Sequence, residues 1–316
     1  MKTDKPLIIL SGPTAVGKTA LSVEFALMHD LEIISADSAQ VYKGMDIGTA
    51  KITEEEKRGV RHHLIDVCDP SEDYSAFRFK EMADAAIEDI YSRGKIPLIV
   101  GGTGFYIQAL LKGVSFDDEG PDEEYRNTLM QLCIEKGNDY LHSMLEDIDP
   151  ESAEKIPEGN VKRMIRALEY HHLTGRKISD HNLEEAAKGP VYDAAYFVLT
   201  DERSLIYERI DKRVTVMIES GLEDEVRNLL GTGLDPSCVS MQAIGYKEMI
   251  PYINGQATLA EAADEIRLRT RHFAKRQLTW YKREPDVIYI DRQKFDGRTS
   301  DMCTFMTDEC RKRGIL

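Results

Sequence analysis

Short apolar runs recur along the first hundred positions, each followed by a stretch of helical periodicity. Pro6–Leu10, Glu32–Ala36, His63–Val67 and Ile96–Val100 read as strands bounded by Gly, Asp or Pro. Lys18–Met28 and Phe79–Tyr91 read as helices; the second carries Met82, Ala86, Ile87 and Ile90 on one face, with Gly94 just past its end. Strand–helix alternation at this spacing predicts a parallel sheet with helices on both faces. From about residue 125 to 190 the pattern is helical with no convincing strand. Leu129, Leu132 and Cys133 form one stripe, Met164, Ile165 and Leu168 another, and Gly189-Pro190 closes the segment as a turn. Strand patterns return at Ala195–Leu199 and Val287–Ile290. The expected organisation is therefore an α/β core from 1–115 and 191–316, interrupted by a helical insertion at 116–190. The last 25 or so residues are polar and give no clear pattern, and there is no internal repeat.

Composition narrows the class. The chain has 316 residues, 42% apolar and 31% charged, enough to bury a core without disulfides or a structural metal. No apolar run approaches the ~20 residues that span a bilayer, and the opening MKTDKPLIIL does not read as a signal peptide. No membrane partner and a cytoplasmic location are expected. The five cysteines are odd in number and contain no CxxC pair, which argues against a disulfide framework or a zinc ribbon. The net charge of −15 argues against a polyanionic partner, but the charge is segregated. Arg267–Arg283 holds seven Lys/Arg and no acid, whereas Asp117–Glu124 holds six acids and no base. A local basic surface is what a polyanion meets.

The sharpest motif is Gly12-Pro13-Thr14-Ala15-Val16-Gly17-Lys18-Thr19, a GxxxxGK[ST] loop between a predicted strand and a predicted helix. Its backbone amides and the helix N-terminus suit phosphate oxygens, Lys18 supplies a point charge, and the Thr19 hydroxyl suits Mg²⁺. The fold class this points to is a P-loop NTPase-like α/β sheet. The loop alone identifies a di- or triphosphate, not a reaction. No NKxD is present for guanine recognition, and no apolar strand ends in Asp-Glu as in a motor ATPase. A small-molecule or nucleotide kinase using ATP survives, as does any enzyme whose substrate ends in diphosphate. Asp37 closes the second strand, at the edge where open α/β sheets bind ligands, and a carboxylate there can act as general base or reach Mg²⁺ through water. The plainer alternative is an Asp capping the next turn.

Further segments resemble one family. ISADSAQVYKGMDIGTAK (Ile34–Lys51) closely resembles the second motif of tRNA dimethylallyltransferases, also called tRNA isopentenyltransferases. The likeness extends through GPTAVGKT, HHLIDV (62–67), YSAFRF (74–79), GGTGFYIQALL (101–111), NVKRMIRALE (160–169), AIGYKE (243–248) and RHFAKRQLTWYKR (271–283). The C-terminal zinc finger of eukaryotic members is absent, so the chain resembles the bacterial form.

The resemblance implies transfer of a dimethylallyl group from dimethylallyl diphosphate to N6 of adenosine 37 in the tRNA anticodon stem-loop, by a monomeric enzyme. The loop residues Gly12, Pro13, Thr14, Ala15, Val16, Gly17, Lys18 and Thr19 would then hold diphosphate rather than ATP, with Mg²⁺ on Thr19. Asp37 would accept the N6 proton, with Thr103 assisting. Arg209 and Arg213 share a helix face, and one or both could clamp diphosphate. Ser38, Ala39, Gln40 and Thr103 would meet the RNA beside Asp37. Arg126, Lys162, Arg163 and Arg166 in the insertion, Gln242, Gly245 and Tyr246 in AIGYKE, and Arg276 and Gln277 in the basic stretch complete the implied tRNA contacts. Phe273 and Trp280 read as core packing more readily than as stacking platforms. His62 and His63 read as structural at a strand entry, with Asp66 the nearest titratable neighbour, and the cysteines as inert.

Overall fold

A computed structural model describes residues 5–113, 122–187 and 189–316. Most of the acidic turn, 117–121, lies outside them. Six strands form one parallel sheet: β1 (Pro6–Ser11), β2 (Glu32–Ser35), β3 (His62–His63), β4 (Pro97–Gly101), β5 (Asp193–Thr200) and β6 (Ile288–Asp291). Their spatial order is β3-β2-β4-β1-β5-β6. The unbroken apolar run of β1 follows from its central place. Leu7 and Ile9 pack into the core on one face, Ile8 and Leu10 into the core on the other, and all four are fully buried. Because β4 pairs with both β1 and β2, the segments leaving β1, β2 and β4 emerge side by side at the carboxyl edge.

Two expectations need correction. The strand anticipated at His63–Val67 pairs only through His62 and His63. Leu64 (φ 63°) and Asp66 (φ 56°) then take left-handed backbone, which ends the pleat. Asp66 faces Lys51 Nζ at 2.5 Å, and the partner of His63 is Glu32, 2.8 Å from Nε2. The C-terminal stretch is also not patternless. It forms a helix, Thr299–Arg313, that buries Met302, Cys303, Met306, Thr307 and Cys310 and packs on helix Lys18–His29. Its apolar stripe is built from Met, Cys and Thr rather than branched aliphatics, which hid it. Burial pushes the thiols of Cys303 and Cys310 up to about 12, so neither is a nucleophile.

The chain divides into two compact units, Met1–Leu111 with Val191–Leu316, and Lys112–Pro190. The described part of the second unit contains helices Glu123–Lys136, Asn138–Ile148, Pro150–Lys155, Val161–Thr174 and Ile178–Ala187 and no strand. Leu129, Leu141, Leu145, Met164, Ile165 and Leu168 form its core. Buried Asp149 caps the third of these helices through the Ser152 amide (3.1 Å) and also accepts the Ser179 amide (2.9 Å).

Candidate active site at the carboxyl edge of the sheet

The GxxxxGK[ST] segment turns from β1 into helix Lys18–His29. Gly17 is the helix N-cap at φ 98°, a left-handed conformation that costs glycine little. Lys18 Nζ donates to the carbonyls of Gly12 and Pro13, both at 2.9 Å. Burial lowers its ammonium to about 8; the charge of Asp37 opposes that shift and the charge of Arg213 adds to it. Lys18, Asp37 and Arg213 thus share one electrostatic neighbourhood. Thr19 is exposed at the start of the helix.

Between the loop and Asp37 runs Gly101-Gly102-Thr103-Gly104. A Cβ on Gly101 would lie 2.1 Å from the Ala36 carbonyl, and one on Gly102 would lie 2.3 Å from Gln277 Nε2. Only residues without a side chain let these segments close up. Gln277 is buried and bridges two of them: Oε1 accepts the Thr14 amide (2.8 Å) and Nε2 donates to the Gly102 carbonyl (2.9 Å). Below it, Tyr281 Oη accepts from Ser11 Oγ (2.7 Å) and donates to the Gly102 carbonyl (3.2 Å). Asp37 Oδ1 accepts the amides of Ala39 (2.9 Å) and Gln40 (3.3 Å). The turn-capping geometry is therefore real, and it fixes the carboxylate through one oxygen. Thr14, Asp37, Ser38, Ala39, Thr103 and Arg213 line a cavity of about 320 Å³, together with Gln242, Phe273, Arg276 and Gln277. A second cavity, about 850 Å³, opens beside Gly17 and Thr19; Arg213 and Met217 border both.

The two candidate clamps diverge. Arg213 Nη1 donates to Thr14 Oγ1 at 3.3 Å, and burial lowers its pKa against the pull of Asp37. Arg209 Nη2 lies 2.5 Å from Asp201 Oδ2, a buried carboxylate that also accepts Gln293 Nε2 (2.6 Å) and faces Arg292 Nε (3.4 Å). Arg292 reaches the phosphate loop, donating to the Val16 carbonyl at 3.2 Å.

A third support is Glu225. Its carboxylate accepts the successive amides of Asp46 (2.9 Å), Ile47 (2.8 Å) and Gly48 (3.0 Å), and the Tyr246 hydroxyl at 2.6 Å. This pins a loop that contributes Asp46, Ile47 and Ala50 to the larger cavity and Gly48 and Thr49 to the smaller. Tyr246 is fully buried, its ring against Gly48. Gln40 braces the same loop from inside, donating to the carbonyls of Thr49 (3.3 Å) and Ala50 (3.2 Å). Gln242 Nε2 donates to the Pro236 carbonyl, and Gly245 begins helix Tyr246–Ile253 at φ 105°. Arg276 is exposed, its guanidinium 5.8 Å from the Phe273 ring centroid. Phe273 faces the cavity, whereas Trp280 packs on the core beside Gly104.

In the helical unit, Lys162 and Arg163 are exposed on helix Val161–Thr174. Arg126 and Arg166 share fully buried Glu169: Arg126 Nε lies 2.7 Å from Oε1 and Arg166 Nη1 3.0 Å from Oε2. Sequence reasoning passed over Glu225, Asp201 and Arg292. Asp201 and Arg292 each directly follow a strand at its carboxyl end, the signal that singled out Asp37; Glu225 left none.

Comparison with known proteins agrees with this geometry. The family described as IPP transferase matches residues 40–284. A tRNA dimethylallyltransferase of Lachnoclostridium phytofermentans is 49% identical, covering 96% of this chain and 98% of its own, and one of Acetivibrio thermocellus is 46% identical over 92% and 93%. The crystal structure of the tRNA isopentenylpyrophosphate transferase of Bacillus halodurans aligns with a TM-score of 0.74 at 42% identity over 98% of both chains. A eukaryotic dimethylallyltransferase acting on tRNA aligns at 0.77 and 30% identity, covering 91% of this chain and 74% of that one. With these relatives the kinase reading loses its support. A parallel P-loop sheet, a phosphate loop and a carboxylate on one crevice, and relatives matched nearly end to end agree: the chain belongs to the IPP transferase family, that of the tRNA dimethylallyltransferases.

Proposed function

We propose that the chain transfers the dimethylallyl group of dimethylallyl diphosphate to N6 of adenosine 37 in the tRNA anticodon stem-loop, in the cytoplasm and as a monomer. The observation that carries this reading is the single cavity bordered by Thr14 of the phosphate loop, Asp37, Thr103 and Arg213. The N6 lone pair attacks the allylic C1 as the C1–O bond breaks, and diphosphate leaves with the electron pair. The adenine amine is a weak nucleophile, because its lone pair feeds the ring. Catalysis therefore needs charge stabilisation on the leaving group and a base for the N6 proton. Lys18, Arg213 and the loop amides stabilise the departing charge. Asp37 takes the proton, its carboxylate oriented by the Ala39 and Gln40 amides.

Among the described residues no group of three or more His, Cys, Asp or Glu could cage a metal. The oxygen donor at the phosphate loop, the Thr19 hydroxyl, suits Mg²⁺ held largely by substrate phosphates. Such an ion would supply further charge neutralisation on the diphosphate. Arg276, Phe273, Ser38 and Ala39 frame the mouth at which the base, extruded from its stack, enters. Lys162 and Arg163 are read as contacts to stem phosphates. No described helix is long and apolar enough to cross a membrane.

The test is a transfer assay with radiolabelled dimethylallyl diphosphate, Mg²⁺ and unmodified tRNA, run beside AMP and beside ATP turnover. Label in tRNA with ATP untouched is the expected result. ATP consumption without labelled tRNA, or label entering AMP alone, would overturn the reading.

A further inference from the structure

Arg292 lies outside everything assigned above, at the end of β6 on the opposite side of β1 from Asp37. Its Nη1 donates to the Val16 carbonyl at 3.2 Å. The same nitrogen lies 2.5 Å from where a Cβ on Gly17 would sit. The guanidinium therefore covers the back of the loop at the Val16–Gly17 peptide. A trans peptide is planar, with its C=O and N–H pointing in opposite directions. A cation that fixes the Val16 carbonyl therefore also fixes the Gly17 amide, on the side of the peptide away from the guanidinium. The positive charge also polarises that peptide and strengthens the amide as a donor.

Arg292 is itself held. Asp201, with no exposed side-chain surface, carries both Arg292 and Arg209, while Gln293 occupies its other oxygen. Two guanidiniums on one carboxylate leave a net positive charge behind the phosphate loop. Arg209 Nη1 is buried without a hydrogen-bond partner, and Arg292 Nε meets Asp201 Oδ2 only as an ion pair at 3.4 Å, without a hydrogen bond, so the cluster carries more donors than its own acceptors satisfy. A purely structural ion pair has no need of that surplus; a neighbouring anion does.

We infer that Arg292, anchored by Asp201, is a positioning residue for the leaving diphosphate, acting through the Val16–Gly17 peptide rather than by touching substrate. The inference rests on the reading that the loop holds diphosphate.

The experiment titrates full-length wild type, Arg292→Ala, Arg292→Gln and Arg292→Lys with inorganic pyrophosphate and Mg²⁺ by calorimetry, and measures KM separately for dimethylallyl diphosphate and for tRNA. Removing one charge-assisted hydrogen bond predicts about tenfold weaker pyrophosphate binding and a matching rise in donor KM. The KM for tRNA stays unchanged, and Arg292→Lys recovers most of the loss. If Arg292→Ala does not fold, the contrast between Gln and Lys carries the same test. Unchanged pyrophosphate binding in the variants beside a binding wild type overturns the role of Arg292 alone. Equal losses for donor and tRNA, or no rescue by Lys, do the same. A wild type that binds no pyrophosphate overturns the diphosphate reading of the loop and this inference with it.

Discussion

The cations of the phosphate-loop crevice and those of the helical surfaces face opposite physical problems. Lys18 and Arg213 are desolvated enough that burial lowers the pKa of both, and each is aimed at the loop itself. Lys162, Arg163 and Arg276 stand exposed on helix faces. A buried cation costs folding energy unless an anion meets it, so it suits a compact, highly charged ligand held in one geometry. An exposed cation costs little and holds its partner loosely, which suits a long polyanion contacted at many points. The −15 net charge reflects neither group, because both are local.

The largest effect is expected in the crevice. Asp37→Ala should lower the single-turnover transfer rate about a hundred- to ten-thousandfold, while filter binding finds tRNA affinity within a few fold. Loss of tRNA binding in proportion would make Asp37 an RNA contact rather than the base.

An intermediate effect concerns pH. The folded value of Lys18, about 8, lies below its ordinary 10.5, so the fold favours the neutral amine. Below pH 8 the lysine is charged in both folded and unfolded chains. Between about 8 and 10.5 only the unfolded chain keeps the proton, so the ligand-free protein gains stability as pH rises there. Diphosphate binding needs the charged form and weakens over the same range. The KM for dimethylallyl diphosphate should rise about twofold from pH 7 to 8 and then climb toward tenfold per unit, and Lys18→Arg should remove the climb. A climb that persists in Lys18→Arg would assign the titration to another group.

The smallest effect lies on the helical unit. Arg163→Ala should weaken tRNA binding uniformly across tRNAs and reduce the log–log salt slope by about 0.7–0.9. An unchanged slope would remove Arg163 from the interface. Arg126 and Arg166 should behave differently from Arg163. Removing Arg126 strips a 2.7 Å ion pair from buried Glu169, which keeps Arg166 and the Asp122 amide, so its cost should register in a urea melt as about 1.5 kcal/mol.

What the sequence revealed, and what it hid, follows the same division. The phosphate loop, the strand ending at Asp37 and the glycine-rich turn are local patterns whose spacing mirrors their geometry, so the crevice was legible. The brief β3 was not, because the left-handed turns at Leu64 and Asp66 carry no Gly or Asn signature. Nor was the last helix, whose buried stripe is Met302, Cys303, Met306 and Cys310. The Arg209–Asp201–Arg292 cluster draws on positions up to 91 residues apart and depends on β6 lying beside β5. No window along the chain contains it. The surroundings of Arg209 and Tyr246 were equally hidden: Arg209 is bound to Asp201, and Tyr246 is wedged under the Asp46–Gly48 loop.

The most direct test of this division is the salt dependence of the two substrates, measured on the same enzyme from 50 to 300 mM KCl. Buried charges are screened little, so the KM for dimethylallyl diphosphate should change by less than about twofold. The tRNA dissociation constant should rise steeply, with a log–log slope of at least about 2 for the exposed cations Lys162, Arg163 and Arg276. Parallel salt curves for the two ligands would contradict the account.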